Sequence, residues 1–161
     1  DGAVIEYTGN RPERVDHVHM WHDDPLCAQL WYQTHLEATP RRGRGDSTPP
    51  LSLENCKVKR AAEPSWPSLT QNGTYRSPTG GVSFSGVAMN WYPNQGSKPL
   101  APTRGHLIDH VGLSVTDLDA WVAKLKAENV AFLEQPHKLG DTRAAMIEGP
   151  SHEAIELVEI K

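Results

Sequence analysis

From residue 110 to residue 115 apolar and polar side chains alternate. Val111, Leu113 and Val115 fall on one face, and His110, Gly112 and Ser114 on the other. That period of two predicts a strand with one buried face. Leu118, Trp121, Val122 and Leu125 follow at i, i+3, i+4 and i+7, behind Thr116 or Asp117 as a cap. That spacing predicts an amphipathic helix. Apolar runs at 130–133, 143–147 and 154–158, the last behind a Gly149-Pro150 turn, predict three more strands. The order is βαβββ.

The same order begins about ninety residues earlier, which identifies a duplicated unit. Val15-Asp16-His17-Val18-His19-Met20 reads as a strand and shares Asp-His-Val with Ile108-Asp109-His110-Val111-Gly112-Leu113. Val18 and Met20 take its apolar face, and His17 and His19 share the other. Asp24 then caps a helix with Pro25 at its first position, and Leu26, Leu30, Trp31 and Thr34 mark the face expected to be buried. Residues 38–80 are rich in Pro, Arg, Ser and Thr, with 51–59 the best strand inside. The stretches 81–85 and 87–92 read as a hairpin.

The expected domain organisation is therefore a first unit at 14–93 with an irregular loop at 40–80, a Pro- and Gly-bearing linker at 94–105, and a second unit at 106–161. One fragment is left over at 1–10. Gly2-Ala3-Val4-Ile5-Glu6-Tyr7 resembles the closing strand Glu153-Ala154-Ile155-Glu156-Leu157. It is expected to be the last strand of a further upstream unit, pairing with a sheet edge, which would make the chain the C-terminal part of a longer protein.

Composition narrows the function classes. The 161 residues carry 16 Lys and Arg against 20 Asp and Glu, a formal charge of −4. No basic excess exists to displace counterions from phosphates, so nucleic acid is not an expected partner. No apolar run of membrane-spanning length occurs either. Thirteen Pro and thirteen Gly imply much loop. Cys27 and Cys56 match neither a zinc knuckle nor a CxxC pair. They suit one disulfide or two buried thiols, and leave the compartment, cytoplasmic or exported after signal removal, undetermined. Asn72-Gly73-Thr74 matches a glycosylation acceptor, a pattern too short to carry weight.

The chemistry lies on the polar strand faces. His17 and His110 occupy corresponding positions of the two units, and Glu156 stands in the closing strand. Two imidazoles and a carboxylate form a candidate ligand set for Fe, Mn, Ni or Zn as divalent ions. The plainer reading of each is a hydrogen-bonded, partly buried histidine and a solvated glutamate. Retention of the histidine in both copies favours the ligand set.

These motifs resemble the vicinal oxygen chelate superfamily, which includes glyoxalase I, extradiol dioxygenases, and fosfomycin- and bleomycin-resistance proteins. The resemblance is carried by Asp109-His110-Val111-Gly112-Leu113-Ser114-Val115 with Asp117-Leu118-Asp119-Ala120, by Ala154-Ile155-Glu156-Leu157-Val158-Glu159, and by Asp16-His17-Val18-His19 with Leu30-Trp31-Tyr32. It is strong over 106–160, fair over 14–37 and 81–92, and absent over 40–80. It implies an α+β fold in which two βαβββ units form a cupped eight-stranded mixed sheet, helices on the convex face, around one divalent metal ion. It implies His17, His110 and Glu156 as metal ligands, with the fourth place, in the last strand of the first unit, falling on Asn90, a weak neutral donor. The implied activity is a metal-dependent dioxygenase, lyase or isomerase. The substrate would be a small molecule with vicinal oxygens, its enolate stabilised or O₂ activated beside it. Two His and one Glu lean toward the dioxygenase-like coordination. The alternative is a metal-free small-molecule-binding protein of the bleomycin-resistance type. Family members pair units within a chain or between chains, so a homodimer is one arrangement it implies.

His19 points to the same face as His17, and is a candidate acid–base residue, alternative ligand, ligand-orienting partner or hydrogen-bonding filler. His22 and His35 read as surface residues. Trp66, Trp91 and Tyr92 suit either core or an aromatic pocket. Arg41, Arg42 and Arg44 read as a solvated loop, or as a gate for an anionic substrate.

Overall fold

The computed structural model describes residues 16–41, 80–85, 87–93 and 99–161. The expected strands at 2–7 and 51–59, and Arg42, Arg44, Cys56, Trp66 and the Asn72 acceptor, lie outside the described residues. The described residues form eight strands and two helices: β1 (His17–His22), α1 (Pro25–Leu36), β2 (Thr39–Pro40), β3 (Gly80–Phe84), β4 (Val87–Pro93), β5 (His110–Val115), α2 (Leu118–Ala127), β6 (Phe132–Leu139), β7 (Thr142–Glu148) and β8 (Ala154–Glu159). They fall into two compact units that divide between Leu100 and Ala101. The architecture is α+β, with two four-stranded mixed sheets from two βαβββ units, neither of them closed among the described residues. Among the described residues no helix is long and apolar enough to cross a membrane.

The two sheets share one topology, β1-β4-β3-β2 and β5-β8-β7-β6. In each, the first strand pairs in parallel with the last, and the remaining pairs are antiparallel. The helix carries the chain from the first strand of each unit to the second, which runs parallel to it at the opposite edge of the sheet. It also covers one face of its sheet.

In the C-terminal unit the helix follows the expected pattern. Asp117 is the cap, its carboxylate accepting from the Ala120 amide at 2.9 Å. Leu118, Val122 and Leu125 are buried, while Trp121 is only half-buried and carries Lys124 over its ring at 5.2 Å. Asp119 of α2 pairs with Arg143 of β7, so α2 lies on the sheet face that Arg143 shares with Ala145 and Ile147. Strand β6 runs further than its apolar start suggests, continuing through Pro136 to Leu139. Proline is tolerated there because β6 is an edge strand whose register shifts between Glu134 and His137.

The N-terminal helix corrects the expectation. Asp24 caps it as expected, accepting from Leu26 and Cys27 amides at 3.1 and 3.4 Å, with Pro25 in its first turn. The buried face, however, is Pro25, Ala28, Gln29, Tyr32 and Leu36. Leu26, Leu30 and Trp31 are only half-buried and Thr34 is exposed. The reason is the partner surface. A Cβ on Gly80 would stand 2.2 Å from the Pro25 carbonyl oxygen, so helix backbone packs directly against strand backbone and demands small or hydrogen-bonding residues. Gln29 answers by accepting the Gly81 amide at 3.0 Å. Tyr32 sets its ring 4.8 Å from Trp91, and both side chains are fully buried. Each such side chain contributes about 1.5–3 kcal/mol by leaving water. The third-to-last strand position of this unit is filled by β2 at Thr39–Pro40, inside the stretch expected to be irregular. Cys27, on α1, is disulfide-bonded, and the chain has one other cysteine, Cys56.

Candidate functional site

The face of each sheet opposite its helix carries the chemistry. In the C-terminal unit, His110, Gly112 and Ser114 of β5 lie beside Ala154, Glu156 and Val158 of β8. Next come Glu148, Met146 and Ala144 of β7. His110 Nε2 stands 3.6 Å from Glu156 Oε2. The other ring nitrogen, Nδ1, donates to Asp109 Oδ1 at 2.8 Å. Gly112, opposite Glu156, has no atom within 4 Å of the position a Cβ would take, so space adjoins the pair.

Asp109 is itself held. Its second oxygen accepts the Gly105 amide at 2.5 Å, and Arg104 Nη1 reaches the first at 3.2 Å. Gly105 adopts φ +82, a conformation that favours glycine and aims its amide back at the carboxylate. These donors, the Gly105 amide first and then His110 and Arg104, hold the Asp109 carboxyl below the usual carboxylate range.

The N-terminal unit repeats the arrangement with substitutions. His17 Nδ1 donates to Asp16 Oδ2 at 3.1 Å. His17 pairs in register with Ala88 as His110 does with Ala154, so Asn90 occupies the position of Glu156 and His19 that of Gly112. This register sets Asn90 opposite His19 as it sets Glu156 opposite Gly112. Asn90 is buried, and its Oδ1 accepts from Arg41 Nη1 at 3.0 Å. The oxygen that would bind an ion is thus engaged by a cation, and Arg41 is tied to the sheet face rather than solvated alone. His19 stacks on His17 with ring centroids 4.5 Å apart and meets the Tyr92 ring at 5.1 Å. Tyr92 in turn lies 5.7 Å from Trp21. Trp91 points to the opposite, helix-covered face as core. His22 is half-buried rather than a surface residue. It ends β1, and its Nδ1 accepts the Asp24 amide at 2.8 Å. His35 is half-buried against Trp31.

Of the expected ligands, His110 and Glu156 are brought together and His17 sits in the other unit, oriented by its own aspartate. Among the described residues no three His, Cys, Asp or Glu side chains converge on one point. The pair does suit a divalent ion. Two donors each about 2.1 Å from one ion at a tetrahedral angle stand roughly 3.4 Å apart, close to the separation found. An aspartate on Nδ1 is also the usual device for presenting Nε2 to a metal. The functional residues missed in the sequence are Asp16, Asp109 and Arg104. The shared Asp-His dipeptide was the available signal for the first two. An open depression of about 680 Å³, lined by residues including Pro136, His137, Lys138 and Ile160, shares no residue with this pair.

The topology, the repeated Asp-His dipeptide and the closing-strand glutamate define a duplicated βαβββ protein with a polar sheet face. The family model of the Glyoxalase/Bleomycin resistance protein/Dioxygenase superfamily matches residues 14–157, and the chain belongs to that superfamily. No curated protein matches it. Among solved structures it is similar to a putative glyoxalase family protein from Bacillus anthracis, at 15% identity and TM-score 0.57, covering 96% of this chain and 100% of that one. A superfamily member from Sphaerobacter thermophilus DSM 20745 matches at 17% identity and TM-score 0.54, covering 91% and 97%. The oxidase ChaP-H2 matches at 10% identity and TM-score 0.57, covering 94% and 96%. At these identities the likeness is one of fold.

Proposed function

We propose that this protein is a divalent-metal-dependent enzyme of the glyoxalase and dioxygenase type, acting on a small substrate with vicinal oxygens. His17, His110 and Glu156 would hold the ion, with Fe, Mn, Zn or Ni compatible with imidazole and carboxylate donors. The observation that carries the reading is the repeated dyad. Asp16 and Asp109 each accept a hydrogen bond from Nδ1 of the following histidine, and His110 Nε2 faces Glu156 at 3.6 Å. A bound ion supplies Lewis acidity toward two neighbouring substrate oxygens. Asn90, engaged by Arg41, is not a fourth ligand, which favours two histidines and one carboxylate and hence the dioxygenase-like coordination. His19, stacked on His17 and within 3.4 Å of the Tyr92 hydroxyl, is the acid–base residue of this reading.

Metal analysis of protein purified without a histidine tag tests it. Stoichiometric metal that is lost in His110→Ala supports the enzyme. Failure to take up metal under any reconstitution overturns it.

One observation favours a second reading. His17, His19, Trp21 and Tyr92 form a continuous aromatic face without a counterpart among the described residues of β5 and β8. Such a face binds planar groups by stacking without any ion. The second reading is a metal-free small-molecule-binding protein of the bleomycin-resistance type, and the same metal analysis separates the two.

A further inference from the structure

The segment before β5 places a side chain that the proposed chemistry does not use. Arg104 spans the open face of the C-terminal sheet. Its Nη2 donates to Glu134 Oε1 on β6 at 2.9 Å, and its Nη1 reaches Met146 Sδ on β7 at 3.0 Å and Asp109 Oδ1 at 3.2 Å. Met146 is the register partner of Glu156, so the guanidinium lies one strand away from the His110–Glu156 pair. The contacts form one continuous run: Glu134, Arg104, Asp109, His110, Glu156.

The segment is anchored independently at both ends of this run. Thr103 Oγ1 donates to the Asp109 carbonyl at 2.6 Å and accepts the Ala154 amide at 2.9 Å, which ties the segment to β5 and β8. Arg104 ties it to β6 and β7. Asp109 consequently receives three donors, the Gly105 amide, the Arg104 guanidinium and the His110 Nδ1–H. A carboxylate so surrounded has its acceptor directions assigned, and an imidazole beside it keeps its proton on Nδ1.

We propose that Arg104 is a positioning residue that fixes the His110 tautomer. Through its bonds to Glu134 and Asp109 it holds the Asp109 carboxylate where the Nδ1 proton of His110 must point, which sets Nε2 on the side of Glu156. The planar fork of arginine suits this place, because it bonds two carboxylates on different elements in fixed directions, which the point charge of a lysine does only in part. The inference rests on the proposed role of His110 only for its consequence, not for the tautomer itself.

The test is ¹⁵N NMR of the imidazole nitrogens in the full, metal-free chain, with His110 assigned through His110→Gln. The wild type is expected to show His110 protonated on Nδ1. Arg104→Met is expected to shift it toward the Nε2-protonated form that free histidine prefers. Glu134→Gln, which releases the far end of the guanidinium, is expected to give a smaller shift in the same direction. Arg104→Lys should restore part of the wild-type signal. Co(II) titration forms the second arm, with affinity falling about tenfold in Arg104→Met. An unchanged His110 tautomer in both Arg104→Met and Glu134→Gln overturns the proposal. If the wild type binds no Co(II), the metal-dependent reading fails, and the tautomer measurement still decides the role of Arg104.

Discussion

Asn90 stands in the N-terminal sheet where Glu156 stands in the C-terminal one, each two positions beyond the alanine that pairs with its unit's histidine. The two residues have opposite relations to charge. Glu156 faces an imidazole at 3.6 Å, and Asn90 offers its oxygen to the Arg41 guanidinium at 3.0 Å. A glutamate at both positions would set two carboxylates on the duplicated faces. The amide instead binds a loop to the sheet. Asn90→Ala is therefore expected to cost about 1–2 kcal/mol of stability and to leave metal stoichiometry unchanged. Denaturant unfolding and metal analysis check the two halves separately. Loss of metal in this variant would make Asn90 a ligand after all.

The burial of α1 predicts an ordering opposite to hydropathy. Tyr32 is fully buried against Trp91, whereas Leu30 is half-buried. Tyr32→Ala is expected to cost about 3–5 kcal/mol, by analogy with other buried aromatics, and Leu30→Ala less than about 1.5 kcal/mol. Urea midpoints at unchanged slope measure both. Equal losses would return Leu30 to the core.

Gly80 has no room for a side chain, because a Cβ would meet the Pro25 carbonyl at 2.2 Å and that atom is backbone. Gly80→Ala is expected to push α1 off β3 and cost about 1–3 kcal/mol or more. A matched Gly112→Ala, where nothing lies within 4 Å, should change stability by less than about 0.5 kcal/mol. Thermal melts of the pair test the contrast.

Asp119 and Arg143 join α2 to β7, and the guanidinium's hydrogen bonds hold the Asp119 carboxyl below its ordinary value of 3.8. The folded value is the depressed one. The pair therefore stabilises the fold above the ordinary carboxyl range, and that contribution is lost as pH falls through the folded value. Asp119→Asn should melt below the wild type at neutral pH, and the gap should close at pH under 3.8. The gap is expected to be small, since both side chains are exposed and salt screens them. A gap that persists unchanged in acid would assign the effect to something other than charge.

Strand faces were legible because alternation is a local property. His17, His110 and Glu156 had to share the polar side of their strands once Val111, Leu113, Ile155 and Leu157 claimed the other. The duplication was legible for the same reason, since the Asp-His-Val triplet recurs at the head of each unit. The helix following His110 was legible because its apolar spacing, apart from the half-buried Trp121, coincides with its buried face. None of this needed the rest of the chain.

Other features depended on what came to lie alongside. The buried face of α1 is decided by the bare backbone of Gly80 and Gly81, which accepts Ala28 and Gln29 and leaves Leu30 at the edge. Helical periodicity cannot see a partner more than fifty positions away in the chain. The role of Asp109 was likewise hidden, although it directly precedes His110. Its carboxylate is set by an arginine 5 residues before it, and that arginine by a glutamate and a methionine 30 and 42 residues beyond. The sequence by itself determined which atoms could do chemistry and on which side of a strand they stand. Only the tertiary structure decided which of them meet, because a hydrogen bond needs its partners within about 3 Å, and that distance is set by packing between elements rather than by order along the chain.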